Sequence, residues 1–170
     1  MPIETFHIAD ANILIDFLDV KHPELLFNTD TTVKISQLTI GEIVGPHQKE
    51  MLMQYSNRFI EVRFSEDDID LLTEHWHNVS GLSLSDYSSL FIAKEQDIIL
   101  TGDRRMRTVA QSMDLTVHGA LWLLDQALEK GLIQPPEAID ILLNLIHINP
   151  RLPVHECEKR LYYGKGKIVR

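Results

Sequence analysis

Residues 98–113 read IILTGDRRMRTVAQSM, a short apolar run followed by a Gly-Asp pair and an amphipathic run. Three consecutive apolar residues predict a buried strand over Ile98–Leu100. The apolar spacing after them predicts a helix over Arg104–Met113. Asp103 therefore lies at the junction between a buried strand and a helix.

The same succession of strand and helix recurs along the rest of the chain. The pattern predicts strands at Ile3–Ala9, Val33–Ser36, Phe59–Phe64, Ile98–Leu100 and Leu115–Val117. It predicts helices at Ala11–Asp19, Thr39–Val44, Gln48–Ser56, Ser65–Val79, Leu84–Gln96, Arg104–Met113, Ala120–Glu129, Glu137–Ile146 and Val154–Tyr163. Alternating strands and helices predict βαβ units. The expected fold class is therefore α/β, with a mostly parallel central sheet flanked by helices.

Acidic residues lie close to the ends of these predicted strands. Right-handed crossovers place the carboxyl ends of parallel strands at one edge of a sheet, where ligands bind. The four acids are Asp10, Glu42, Asp86 and Asp103. Crowded carboxylates raise one another's pKa, and a hard divalent cation such as Mg²⁺ or Mn²⁺ removes that cost. The sequence therefore predicts a metal site at this edge.

Each acid also has a purely structural interpretation. Asp10 and Asp103 fit helix N-caps, since both precede a predicted helix. Ser83-x-x-Asp86 and Thr39-x-x-Glu42 both fit a capping box, in which the acid bonds back to the cap residue. The convergence of all four at one edge favours the metal site over these separate interpretations.

The ordered set Asp10-x-Asn12, Glu42, Asp86 and Thr101-Gly102-Asp103-Arg104 resembles the PIN-domain nucleases. The resemblance covers about residues 3–133. Within it, Gly119–Ile133 is similar to the C-terminal part of a prokaryotic subgroup related to the VapC-type toxins. The resemblance to PIN-domain nucleases implies a three-layer α/β/α sandwich with a PIN-like nuclease domain at residues 1–133. Residues 134–170 are then a C-terminal helical extension with a basic tail, packed on the same domain.

The resemblance also implies a Mg²⁺- or Mn²⁺-dependent ribonuclease that hydrolyses phosphodiester bonds. Carried over by position, Asp10, Glu42, Asp86 and Asp103 are the catalytic and metal-binding acids. Asp10 and Asp103 would hold the main ion, Asp86 would complete that site or hold a second ion, and Glu42 would bind through water or orient the attacking water. Substrate contacts are expected from Asn12, Thr101, Arg104 and Arg107, the two arginines lying three apart on one helix face.

Two functional classes stay open. The first is an endoribonuclease, as the toxin of a type II toxin–antitoxin pair, with RNA as substrate, an antitoxin protein as partner and a homodimer as the assembly. The alternative is a catalytically silent PIN-fold module that binds RNA or a protein. A phosphatase or phospho-receiver fits less well, because Asn12 stands where a phosphatase of the haloacid-dehalogenase type has a second aspartate.

The composition of the chain argues against some other classes of protein. The 170 residues carry a net charge of −9, which argues against nucleic-acid binding by general electrostatic attraction alone. Residues 151–170 hold 6 basic and 2 acidic residues, and the segment Gly164-Lys165-Gly166-Lys167 is expected to be a flexible tail. A single cysteine, Cys157, and the lack of an apolar run of ~18 residues favour a cytoplasmic protein without a membrane span.

Overall fold

The centre of the fold is a five-stranded sheet, seen in a computed structural model that describes residues 4–27 and 30–168. Its strands are β1 (His7–Ala9), β2 (Val33–Ser36), β3 (Phe59–Val62), β4 (Ile98–Leu100) and β5 (Thr116–His118). All four pairings are parallel, in the order β3-β2-β1-β4-β5. The predicted parallel sheet is confirmed, although β1 begins at His7, and Ile3 lies outside the described residues.

Helices connect and cover the strands. They are α1 (Ala11–Asp19), α2 (Glu24–Phe27), α3 (Gln37–Gly41), α4 (Pro46–Gln54), α5 (Glu66–Trp76), α6 (Leu84–Phe91), α7 (Arg104–Ser112), α8 (Ala120–Glu129), α9 (Pro135–Ile148) and α10 (Val154–Ile168). In the part of the chain that the structure describes, no helix is long and apolar enough to cross a membrane.

Two hydrophobic layers enclose the sheet. The side chains of a strand alternate between its two faces. Ile8 and its register partner Ile99 pack into one core with α5, α6 and α7. Ala9 and its partner Leu100 pack into the other core with α1, α2, α4, α8 and α9. Both cores are sealed from water, and the three-layer α/β/α architecture is confirmed.

The chain after residue 133 joins the second of these cores. Ala138, Ile141, Leu142 and Leu145 of α9 are buried against it, and Cys157 of α10 is buried beside them. α8 ends where Gly131 takes the left-handed conformation (φ 69°), as expected for a helix stopped by glycine. The backbone of α10 is helical to Ile168, so this helix extends past Tyr163, its predicted end.

Two other helix boundaries are also corrected, and one helix was not predicted. α3 begins at Gln37 and not at Thr39, because Ser36 is its N-cap and the Ser36 hydroxyl accepts the Thr39 N–H at 3.1 Å. α6 ends at Phe91 and does not continue to Gln96. The short helix α2 was not predicted, although Leu25, Leu26 and Phe27 in it are buried.

Candidate active site at the carboxyl edge of the sheet

The strand order reverses between β1 and β4, and two polar side chains lie at that point. β1 is followed by Asp10, and β4 is followed by Thr101. Both residues are fully buried. In open parallel sheets the crevice at such a reversal is the usual place for a ligand. The fold therefore concentrates polar groups where a site is expected.

Asp10 is a carboxylic acid with no exposed surface. One oxygen accepts the N–H of Ile13 at 2.8 Å, which makes Asp10 the N-cap of α1. The other oxygen accepts a short hydrogen bond from the Thr101 hydroxyl. Burial raises the pKa of Asp10 to about 7, against these two hydrogen bonds, and the negative charges of Asp86 and Asp16 add to the rise. Its structural and functional interpretations are thus both compatible with the geometry.

Thr101 links Asp10 to Asp103. Its hydroxyl donates to Asp10 and accepts the backbone N–H of Asp103 at 3.0 Å. Asp103 is half-buried and is the N-cap of α7, with one oxygen accepting the Met106 N–H at 2.7 Å. The structure describes no hydrogen bond to the second oxygen of Asp103. Thr101 therefore holds two of the four predicted acids in a fixed relation.

Asp86 lies in the first turn of α6 and is half-buried. One oxygen accepts the Ser83 hydroxyl at 2.8 Å and the Ser83 N–H at 3.2 Å, so the predicted capping box is formed. The structure describes no hydrogen bond to its other oxygen. The charge of Asp86 raises the pKa of Asp10, and we call the predicted acids Asp10, Asp86 and Asp103 the acidic group. Asp86 can therefore serve both as a capping-box residue and as a member of the acidic group.

Glu42 and Asn12 are less integrated into this group. Glu42 is exposed and is the C-cap of α3, so the capping box predicted for Thr39-x-x-Glu42 is wrong. Asn12 is half-buried on the first turn of α1, next to Asp10. Neither side chain makes a hydrogen bond or ion pair to Asp10, Asp86 or Asp103 in the described parts of the chain. Thr101 thus links Asp10 to Asp103, and the charge of Asp86 acts on Asp10, whereas no hydrogen bond or ion pair in the described parts of the chain connects Glu42 to these acids.

The arginines of α7 differ in their surroundings. Arg107 donates to the carbonyl oxygens of Thr101 (3.3 Å) and Val117 (3.4 Å), and so braces the ends of β4 and β5. Arg105 donates to the Ser80 carbonyl at 2.8 Å, on another face. Arg104 is exposed, and within the described ranges its guanidinium has no hydrogen bond or ion pair. Of these three arginines, Arg104 is therefore the one whose guanidinium has no partner among the described residues.

Four hydroxyl side chains near this edge were not predicted as part of the site, and only Thr39 had any predicted role, as a capping-box residue. Ser36 directly follows β2, as Asp10 follows β1, and that position is the sequence signal by which it could have been found. It contacts Thr39 and Ser88, and Thr39 in turn contacts Ser89. We call Ser36, Thr39, Ser88 and Ser89 the hydroxyl cluster.

The donor set fits a hard divalent cation by its chemistry. Asp10, Asp86 and Asp103 offer carboxylate oxygens, the ligands that Mg²⁺ and Mn²⁺ prefer. A cation would also offset the burial of Asp10 and its repulsion with Asp86, which together raise the Asp10 pKa. Among residues 4–27 and 30–168, no three His, Cys, Asp or Glu side chains are already arranged as a metal site. Binding would therefore require side-chain rearrangement.

Comparison with known proteins identifies the family. No curated protein matches the chain. A family model described as a PIN domain matches residues 6–163, which extends through α9 and into α10. The match does not separate the VapC-related subgroup from other PIN domains. PIN domains are usually nucleases that act on nucleic acid and generally use divalent metals. Since the match covers nearly the whole chain and agrees with its fold, this protein belongs to the PIN-domain family.

Proposed function

We propose that this protein is a Mg²⁺- or Mn²⁺-dependent endoribonuclease whose active site is the acidic group at the carboxyl edge of the sheet. One observation carries the proposal: where the strand order reverses, the fully buried Asp10 accepts a hydrogen bond from Thr101 and is subject to the charge of Asp86. A buried carboxylate beside another acid is costly to ionise unless a cation neutralises it. This cost is typical of a metal site and unusual for a helix cap.

In this proposal Asp10, Asp86 and Asp103 would hold the metal, with Glu42 binding through water or orienting the attacking water. When bound, the metal would supply charge stabilisation for the phosphodiester and a more acidic water. Thr101 ties the carboxylate of Asp10 to the backbone of Asp103, whose own carboxylate is held by the Met106 N–H. Arg104, at the exposed start of α7, binds a phosphate of the RNA backbone beside the acids.

The net charge of −9 is compatible with this mode of binding. Asp10, Asp86 and Asp103 repel a phosphate until a cation reverses their local field. RNA binding is therefore expected to depend on the metal, with Arg104 as a local basic contact. Tight RNA binding in excess chelator that added Mn²⁺ does not change would contradict this explanation.

The central test is cleavage of a mixed RNA pool in Mn²⁺ by the wild-type protein and by Asp10→Asn. We expect Asp10→Asn to cleave at least about 100-fold more slowly, because loss of a metal ligand should exceed the 10–100-fold effect of losing an outer partner. Asp140→Asn, an exposed substitution on α9, is the matched control and should cleave like wild type. Equal cleavage by Asp10→Asn and wild type would refute the site.

A pool of single-stranded DNA with the same sequences tests whether the enzyme requires ribose in its substrate. Cleavage of the DNA pool alone would refute RNA as the substrate.

A catalytically silent RNA- or protein-binding module is the second candidate. It is favoured by the lack of three preassembled metal ligands in the described part of the chain. The same experiment separates the two, since a silent module would leave RNA intact in Mn²⁺ and Mg²⁺ while still binding it.

The role as a toxin, with an antitoxin partner and a homodimeric assembly, remains a prediction from the sequence resemblance, and the cytoplasmic location remains a prediction from the single cysteine and the apolar pattern. It predicts that induced expression generates new RNA ends in cells and that Asp10→Asn does not. It also predicts an adjacent reading frame that encodes a DNA-binding antitoxin. The absence of such a frame would favour a solitary nuclease.

A further inference from the structure

The hydroxyl cluster is a polar group inside the core. Ser36, Thr39, Ser88 and Ser89 have relative exposures of 0%, 1%, 0% and 0%. Buried hydroxyls are unfavourable unless they are hydrogen-bonded. Here each one has a partner within the cluster, so the four side chains form a continuous chain of contacts.

The contacts in this chain join two separate elements. The Ser36 hydroxyl lies 2.5 Å from that of Ser88 and 3.0 Å from that of Thr39, and Thr39 lies 3.2 Å from Ser89. Ser88 also donates to the Ser85 carbonyl at 2.6 Å. Ser36 and Thr39 belong to the end of β2 and to α3, whereas Ser88 and Ser89 belong to α6. The cluster thus ties α6 to the carboxyl end of β2.

This tie differs from ordinary helix packing. Apolar contacts between two helices permit small sliding movements, whereas short hydrogen bonds fix direction as well as distance. Asp86 is two residues before Ser88 on the same helix. A shift of α6 along the sheet would therefore move Asp86 relative to Asp10, which is held separately by Thr101.

We propose that Ser88 and Thr39 are positioning residues, which hold Asp86 at the distance from Asp10 that metal binding requires. The inference rests on the proposed metal-dependent nuclease. The two hydroxyl arrangements then have complementary roles. Thr101 fixes Asp10 against Asp103, and the hydroxyl cluster fixes the helix that carries Asp86.

The test is Mn²⁺ binding by calorimetry, without RNA, to wild type, Ser88→Ala and Thr39→Val. Thr39→Val keeps the side-chain shape and leaves the Ser36 cap in place, so it serves where Ser88→Ala fails to fold. Ser112→Ala is the matched control, because Ser112 also donates to a carbonyl of its own helix, at 2.7 Å, but lies at the end of α7 outside the cluster. Circular dichroism confirms that each variant is folded.

We expect both cluster variants to bind Mn²⁺ about 10- to 100-fold more weakly than wild type, and Ser112→Ala to bind it normally. At saturating Mn²⁺, RNA cleavage by the cluster variants should return to within about threefold of wild type, because the acids themselves are intact. Wild-type Mn²⁺ affinity in folded Ser88→Ala and Thr39→Val would overturn the inference and leave the proposed nuclease standing. A wild-type protein that binds no Mn²⁺ and cleaves no RNA would instead refute the proposed function, and this inference with it.

Discussion

Two fully buried aspartates lie at opposite ends of the central strands, and their surroundings differ. Asp97 directly precedes β4, and its two oxygens accept the backbone N–H groups of Phe6 and Lys94, each at 2.9 Å. Asp10 directly follows β1 and accepts one backbone N–H and one hydroxyl, with the charge of Asp86 nearby. Burial is the same for both side chains, so burial alone does not distinguish a structural acid from a site acid.

The distinguishing property is what surrounds the carboxylate. Two backbone N–H donors at the amino end of β4 give Asp97 the role of a clamp between two loops. At the carboxyl end of β1, a second acid makes the ionised form of Asp10 less favourable. A carboxylate that the protein does not neutralise by itself is the one that suits a cation.

The largest expected effect is on the pH dependence of the unfolding free energy, to which Asp10 contributes in the metal-free protein. The pKa of Asp10 is about 7 in the folded state and 3.8 for an ordinary aspartate, so the folded protein holds a proton that the unfolded chain releases. Stability contributed by this group is therefore lost as pH rises from about 4 to 7. Asp10→Asn stays neutral, and its gain in unfolding free energy over wild type should grow across this window by at most about 4 kcal/mol.

Urea unfolding in chelator at pH 4.5, 6 and 7.5 measures this difference. Asp140→Asn should shift the unfolding free energy equally at all three values. If the difference in unfolding free energy between Asp10→Asn and wild type does not vary with pH, the surroundings of Asp10 do not raise its pKa. Asp10 would then not be distinguished from Asp97 in the way described above.

A smaller effect is expected at the other end of β1, where His7 is buried and its Nδ1 has no hydrogen-bond partner among the residues that the structure describes. The His7 ring meets the edge of Trp122, with 5.7 Å between centroids. Burial lowers the pKa of His7 to about 4, with further lowering by Lys130 and His118. The unfolded chain therefore takes up a proton first, and stability is lost as pH falls from about 6.5 to 4.

His7→Phe removes this titration and should lessen the acid sensitivity by about 2–3 kcal/mol between pH 7 and 4.5. Urea unfolding of His7→Phe and of the exposed control His47→Gln measures it. If His7→Phe loses as much stability as wild type over that range, the low pKa assigned to His7 is wrong.

The smallest expected effect is at Asp97. In Asp97→Asn the amide has a single acceptor oxygen, so one of the N–H groups of Phe6 and Lys94 is left without its partner. We expect a loss of about 2 kcal/mol in unfolding free energy, with RNA cleavage by the folded protein retained. An unchanged urea midpoint in Asp97→Asn would show that Asp97 does not clamp the two loops. Loss of RNA cleavage by a variant of unchanged stability would show that Asp97 contributes to the proposed active site.

Much of this architecture could be predicted from local sequence. Val33–Ser36, Ile98–Leu100 and Ala11–Asp19 have the predicted bounds, because apolar runs and helical stripes are properties of neighbouring residues. The positions of Asp10 and Asp103 as N-caps follow from the same local patterns. Helix ends were less predictable, as at α3, where the cap is Ser36 and not Thr39.

Surroundings from distant parts of the chain could not be predicted. Arg107 is predicted as a phosphate contact, yet its guanidinium donates to the carbonyls of Thr101 and Val117. Glu42 is predicted among the acids, yet it is exposed and makes no hydrogen bond or ion pair with Asp10, Asp86 or Asp103 in the described ranges. Both outcomes depend on how loops after different strands meet, and no local pattern encodes that.

The sequence by itself determined the parallel α/β fold and the presence of acids after its strands, because periodicity and strand-to-helix junctions are local. Only the tertiary structure decided which of those acids share one environment. Strand order places Asp10 beside Thr101, 91 residues away in sequence, and the hydroxyl cluster places Ser36 against Ser88 across 52 residues. The pKa of Asp10 follows from this packing, since burial and the charge of Asp86 act through space and not along the chain.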